Sequence, residues 1–246
     1  MMFDAITLVA VAEELNEKIL HGRVQEIVQL DALTFGFEIY AQHQRHYLYV
    51  SVHPDDARVH LMSQRLRGSG DPSTSLRMPS PLLLLLRKYS EGAFVDAIAP
   101  LSHERVLKIQ FDHSTEGIST LVVETIGKYS NLILLDADHV VIDAVKRVGA
   151  DINRARVILP KHRYAPPPPQ SKFAPSELTA PDLARVLAEN RGASLWQTLV
   201  KTLTGVSPLL AREIAFRVGG RTDTLCNPAR SEELLSTLGQ LSHAPW

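Results

Sequence analysis

Leu8, Val11, Ala12, Leu15 and Ile19 recur at intervals of three and four, the spacing of a single helical face, and predict an amphipathic helix over residues 4–20. Asp4 stands where an amino-terminal cap is needed and Gly22 where the helix should stop. The period then drops to two. Short β-rich runs follow at 23–30, 33–40, 46–52 and 58–62, each ended by polar or proline-containing turns, as in a meander or sandwich. Residues 67–81 are rich in Ser, Gly and Pro and have no hydrophobic period; they read as a loop, either a plain surface insertion or a segment ordered by RNA. A short helix over 81–89 precedes a second group of predicted strands at 93–99, 106–111, 118–126, 131–135 and 140–145.

Four prolines at 166–169 interrupt both patterns and impose an extended linker. Beyond them the period is helical again: 176–190, 195–203, 208–218 and, more weakly, 232–241. Thr204-Gly205-Val206-Ser207-Pro208 joins two of these helices through a glycine turn, a capping serine and a proline at the first helical position. The predicted class is therefore α+β: an antiparallel β-sandwich-like domain over 1–165, a proline-rich linker over 166–175 and an all-helical, helix-hairpin-helix-like module over 176–246.

Composition narrows the function classes. With 45% hydrophobic residues the chain can build a substantial core. Its 26 Lys and Arg are balanced by 27 Asp and Glu, so nucleic-acid binding would have to come from local patches. One such patch spans 145–164, where Lys146, Arg147, Arg154, Arg156, Lys161 and Arg163 are opposed by Asp151 alone: it reads as a solvated basic rim, or as a phosphate-contacting strip that would give position without sequence choice. The single cysteine, Cys226, excludes an internal disulfide and suits a reducing, cytoplasmic setting. The first residues lack a signal-peptide pattern, and the apolar run 82–86 is far shorter than the ~20 residues of a membrane span. A protein without membrane association is expected.

Catalytic and metal chemistry find little footing. His43 and His46 are three apart in a strand-turn context, which sets them on opposite faces, and no third ligand accompanies them. No glycine-bounded nucleophile and no glycine-rich phosphate loop before a helix is present in the sequence. No catalytic residue, metal, cofactor or small-molecule substrate is therefore expected.

The stretch 102–131 draws the remaining polar groups together. Leu107, Ile109 and Phe111 alternate, a polar turn follows, and a second β-rich run ends in Glu124-Thr125-Ile126-Gly127-Lys128-Tyr129. An antiparallel hairpin would bring Glu104 and Arg105 to the same rim as Glu124, Thr125 and Ile126. The helix start at Gly205 and Ser207 offers free amides that suit phosphate oxygens, or else simply packs a helical hairpin.

Phe3-Asp4, Glu14-Leu15-Asn16-Glu17-Lys18-Ile19 with Gly22-Arg23, Arg58-Val59-His60, Leu86-Arg87-Lys88-Tyr89 with Glu91-Gly92, Arg105, and Val123-Glu124 with Gly127 and Ser130-Asn131 fall in an order that resembles the NFACT amino-terminal domain. That family includes RqcH, NEMF and proteins labelled fibronectin-binding protein A. The resemblance runs from Phe3 to about Gly220. It implies an architecture similar to the formamidopyrimidine class of DNA glycosylases, although Met1-Met2-Phe3-Asp4 lacks their amino-terminal proline and glutamate.

It further implies binding of alanine-charged tRNA and of large ribosomal subunits blocked by a stalled peptidyl-tRNA. A C-terminal alanine tail would then be added to the nascent chain. By the same resemblance Glu104, Arg105, Glu124, Thr125 and Ile126 are tRNA contacts, with Lys146, Arg147, Arg154, Arg156, Gly205 and Ser207 as possible phosphate contacts. Glu104 replaces the usual Asp, and Thr125 and Ile126 replace bulkier apolar residues. The family's coiled-coil arms and C-terminal RNA-binding part are expected beyond a fragment of this kind. The alternatives are a fibronectin-binding adhesion protein and a DNA-binding, glycosylase-like protein without catalytic residues.

Overall fold

A computed structural model describes residues 4–65, 79–102, 104–154, 156–168 and 172–242. The loop expected over 67–81 lies outside the described residues except for its last three positions. The chain divides into two compact units, Thr7–Pro167 and a second that runs from Pro168 onward together with Asp4–Ile6. The division falls inside the proline run.

In the first unit, α1 (Ala5–Ile19) buries Leu8, Leu15 and Ile19 completely, and these belong to the face that the three-and-four spacing predicted. Its end differs from the expected glycine stop. His21 takes the left-handed conformation, at φ 60°, whereas Gly22 is needed for closeness: a Cβ there would lie 2.8 Å from both Ala41 Cβ and Ile39 Cγ2.

The strands are β1 (Arg23–Asp31), β2 (Thr34–Ala41), β3 (Gln44–Ser51), β4 (Arg58–Met62), β5 (Phe94–Pro100), β6 (Val106–His113), β7 (Gly117–Glu124), β8 (Asn131–Leu135) and β9 (Val141–Ala144), with α2 (Pro81–Ser90) between β4 and β5. Ser80 caps α2 by accepting from the Leu83 amide. Rather than two separate sheets, the strands form one antiparallel sheet of order β4-β3-β2-β1-β5-β6-β7-β8-β9.

The join between its halves is narrow. β1 and β5 share one register pair, Arg23 with Phe94, and bulges at Val24/Glu26 and Val95/Ala97 flank it. The Phe37 and Phe111 rings stack at 6.4 Å although their strands are three apart in the order. In a flat sheet three strand spacings amount to roughly 14 Å. The sheet therefore folds on itself, and a core of Phe35, Phe37, Leu48, Ile109, Phe111, Leu132 and the apolar faces of α1 and α2 fills the fold.

β7 and β8 are covered on both faces. A second apolar layer of Val106, Val122, Ile133, Leu135, Val141 and Ala144 is closed by Ile158, which is 1% exposed. Residues 145–164, expected as a basic rim, thus form a strap: Val148 pairs with Ile158 and Val140 with Arg163 across the outside of the sheet.

The second unit contains α3 (Ala180–Glu189), α4 (Leu195–Thr202), α5 (Pro208–Gly219) and α6 (Ser231–Ser242) around Leu183, Leu187, Leu199, Ile214, Ala215 and Leu234. The helix expected from residue 176 begins at Ala180 instead, because Thr179 is its cap: the Thr179 side chain accepts from Asp182, and Asp182 reaches back to the Thr179 amide. None of the described helices is long and apolar enough to cross a membrane.

Candidate nucleic-acid interface

The hairpin β6–β7 places the two predicted polar stretches side by side. Val106 pairs with Glu124, and immediately outside that pair the Thr125 amide donates to the Arg105 carbonyl at 2.8 Å, with the Thr125 hydroxyl at 3.3 Å from the same oxygen. Glu104 and Arg105 are half-buried, and each is already engaged with neighbouring groups. Ile126 is half-exposed and opens the loop into β8.

Two of the expected contacts need correction. Glu124 is 0% and Thr125 1% exposed, so neither side chain stands on an open ledge. Glu124 accepts from both terminal nitrogens of Arg156, the Nη1 bond being 3.1 Å, and from the Tyr164 hydroxyl at 2.7 Å. Arg156 also donates through Nε to the Ala165 carbonyl at 2.7 Å and lies over the Tyr164 ring. Its side chain is only 15% exposed. Arg156, expected to face phosphate, therefore serves to neutralise a buried carboxylate. Burial, and next the adjacent carboxylate, push the Tyr164 hydroxyl far above its usual range, so it stays a donor.

The other basic residues divide between structure and surface. Lys146 donates to the carbonyls of Val52 and Lys128, each at 3.4 Å, and burial lowers its pKa. Its backbone is bracketed by Asn131, which donates to the Lys146 carbonyl and accepts from the Lys146 amide, both at 2.8 Å. Arg147 forks onto buried Asp143 at 2.9 and 3.1 Å while half its side chain remains in solvent. Arg154 is exposed and has no ionic partner among the described residues. Lys128, Lys161 and Arg163 are exposed as well.

At the helix start in the second unit, Gly205 adopts φ 71° as a turn glycine should. Ser207 does not face solvent. It is 7% exposed, accepts from the Leu210 amide at 3.1 Å and donates to the Asp4 carboxylate at 2.9 Å. A carboxylate of the chain itself already occupies the position a phosphate would take, which removes Ser207 from the phosphate contacts.

Sequence reasoning overlooked Tyr164 and Ile158. A signal was present for both: Glu124 follows an apolar run and needs a buried partner, and Val157-Ile158-Leu159 is an apolar run inside a basic segment. Tyr129 was also passed over, and it is 67% exposed with the Lys128 ammonium 4.9 Å from its ring centroid. Among the described residues, no three His, Cys, Asp or Glu side chains are grouped as metal ligands would be.

Residues 4–243 match the model for the NFACT N-terminal and middle domains, and the chain belongs to that family. It is 34% identical over 224 residues to the Rqc2 homolog RqcH of Bacillus subtilis, covering 89% of this chain and 38% of that one. A second Rqc2 homolog RqcH, from Streptococcus suis, is 31% identical over 76% of this chain and 34% of its own. The chain thus spans little more than a third of these relatives.

Among solved structures it is similar to the N-terminal part of the fibronectin/fibrinogen-binding protein of Streptococcus suis, with TM-score 0.78, 28% identity and coverage of 97% and 85% of the two chains. The N-terminal domain of fibronectin-binding protein PavA from Streptococcus pneumoniae gives TM-score 0.73 at 28% identity over 86% and 77%. The fibrinogen binding protein of Staphylococcus aureus, at 24% identity and TM-score 0.82, covers 100% and 84% and shares the fold.

Proposed function

We propose that this chain is the RNA-binding amino-terminal part of a cytoplasmic ribosome quality control factor. It binds tRNA, charged with alanine, and large ribosomal subunits obstructed by peptidyl-tRNA, and so directs C-terminal alanine tailing of the stalled chain. It performs no bond chemistry of its own; peptide transfer is left to the ribosome. The observation that carries the reading is the main-chain link from Thr125 to Arg105, which gives the two stretches resembling the tRNA-contacting segments of RqcH-like proteins a common rim. Exposed Lys128, Arg154, Lys161 and Arg163 in the same unit supply the local charge that the balanced whole lacks. The helical unit is read as a helix-hairpin-helix-type module and the sheet as glycosylase-like, both kept for backbone binding while the chemistry of that fold is absent.

Arg105→Ala is expected to weaken tRNA binding by about 1–3 kcal/mol, the loss of one charge-assisted contact. A gel-shift titration with unchanged affinity removes Arg105 from the interface. The names of two solved relatives, a fibronectin/fibrinogen-binding protein and a fibronectin-binding protein, favour a second reading, binding of fibronectin or fibrinogen. Immobilised fibronectin that retains the chain while tRNA does not compete would select it.

A further inference from the structure

The loop from β7 to β8 holds out an aromatic ring that no apolar cluster of the fold takes up. Tyr129 is 67% exposed, whereas tyrosines usually lay the ring against apolar surface and leave only the hydroxyl wet. The backbone beneath it is firmly held. The Tyr129 amide donates to the Ile126 carbonyl at 3.2 Å and the Ser130 amide to the Gly127 carbonyl at 2.9 Å. The Lys146 ammonium grips the Lys128 carbonyl, Ser130 is fully buried, and Asn131 is tied to the Lys146 backbone at both ends. Gly127, at φ +58°, allows the chain to enter this single turn. A ring mounted on a fixed backbone has only its own side-chain rotations to lose when a ligand arrives.

The Lys128 ammonium lies over the ring, 4.9 Å from its centroid. An exposed ring with a cation over one face matches a nucleotide, which brings a flat base for the other face and an anion for the cation; a neutral protein surface offers no such pair. The turn begins at Ile126, directly after the Thr125–Arg105 link. We propose that Tyr129 is a stacking platform for one unpaired RNA base, with Lys128 answering the adjoining phosphate. This rests on the RNA-binding reading and adds to it a preference for unstacked over helical RNA, since a paired base keeps both faces covered.

The test uses the intact chain, a short unstructured RNA and a blunt RNA duplex of equal length, followed by fluorescence anisotropy at low and moderate salt. Tyr129→Ala should weaken the single strand roughly 5- to 100-fold and the duplex by no more than about twofold. Tyr129→Phe should bind as the unaltered chain does. Lys128→Gln should weaken both RNAs and make the salt dependence shallower by about one counterion. Equal losses on both RNAs, or none, overturn the stacking role while leaving RNA binding in place. If the unaltered chain binds neither RNA, stacking and the RNA reading fall together, and if Tyr129→Ala instead loses fibronectin, the ring belongs to a protein interface.

Discussion

At the scale of single residues, the decisive side chain is Glu124. A carboxylate with no solvent exposure is tolerated because Arg156 and Tyr164 together give it three donors, two of them from a charged guanidinium. Removing one member of such a buried set leaves the others uncompensated. Glu124→Ala should therefore cost about 3–5 kcal/mol in urea unfolding, the range for breaking a buried pair. Arg156→Ala should cost a similar amount. Loss of tRNA binding in either variant would then follow loss of structure, unlike Arg105→Ala, for which binding is expected to fall while the unfolding midpoint stays put. If Glu124→Ala weakened binding with unchanged stability, the carboxylate would be a direct contact after all, and its burial would have to be relieved on binding RNA.

At the scale of elements, periodicity exposes what is amphipathic and conceals what is covered twice. The face of α1, the strand sequence and the proline break were legible because each follows from one repeating pattern or one rigid residue type. The strap over 145–164 was not. Six cations within twenty residues read as a solvated rim, whereas Val145, Val148, Ile158 and Tyr164 within the same segment pack against the sheet. Nor could the pattern show whether nine strands form one sheet or two, because the join depends on a single register pair between bulges.

The cap of α3 lends itself to measurement at this scale. Hydrogen bonds from the Thr179 hydroxyl and then its amide hold Asp182 below the usual carboxylate range, with Arg185 adding to the effect. A lowered folded-state pKa means that the cap stabilises above the ordinary carboxylate pKa and that this contribution disappears as pH falls through the depressed value. Thr179→Ala should cost about 1 kcal/mol near neutrality. Asp182→Asn should flatten the acid side of the stability profile. If its acid limb matches that of the unaltered chain, another carboxylate governs that limb.

For the molecule as a whole, the division at Pro167 and Pro168 separates two hydrophobic cores whose members do not overlap. Apart from α1, whose first residues Ala5 and Ile6 belong to the second unit, each core closes around its own elements, and a single two-state transition is not expected. Leu199 is 1% exposed in the helical core, and Leu199→Ala should cost about 2–5 kcal/mol there. Both tryptophans of the sequence, Trp196 and Trp246, lie beyond the proline run, so the sheet unit contributes no tryptophan fluorescence, and Trp196 reports on the helical unit. Trp196 carries the Arg212 guanidinium over its ring at 4.5 Å, a contact that unfolding must remove. Amide exchange of β6 to β8 reports on the sheet instead, since each of those strands is paired along both edges. Leu199→Ala should then lower the fluorescence midpoint and leave the protection of β6 to β8 unchanged. Parallel loss of both signals would mean that the two cores unfold as one, and the salt dependence of RNA binding could no longer be assigned to either unit by altering the other.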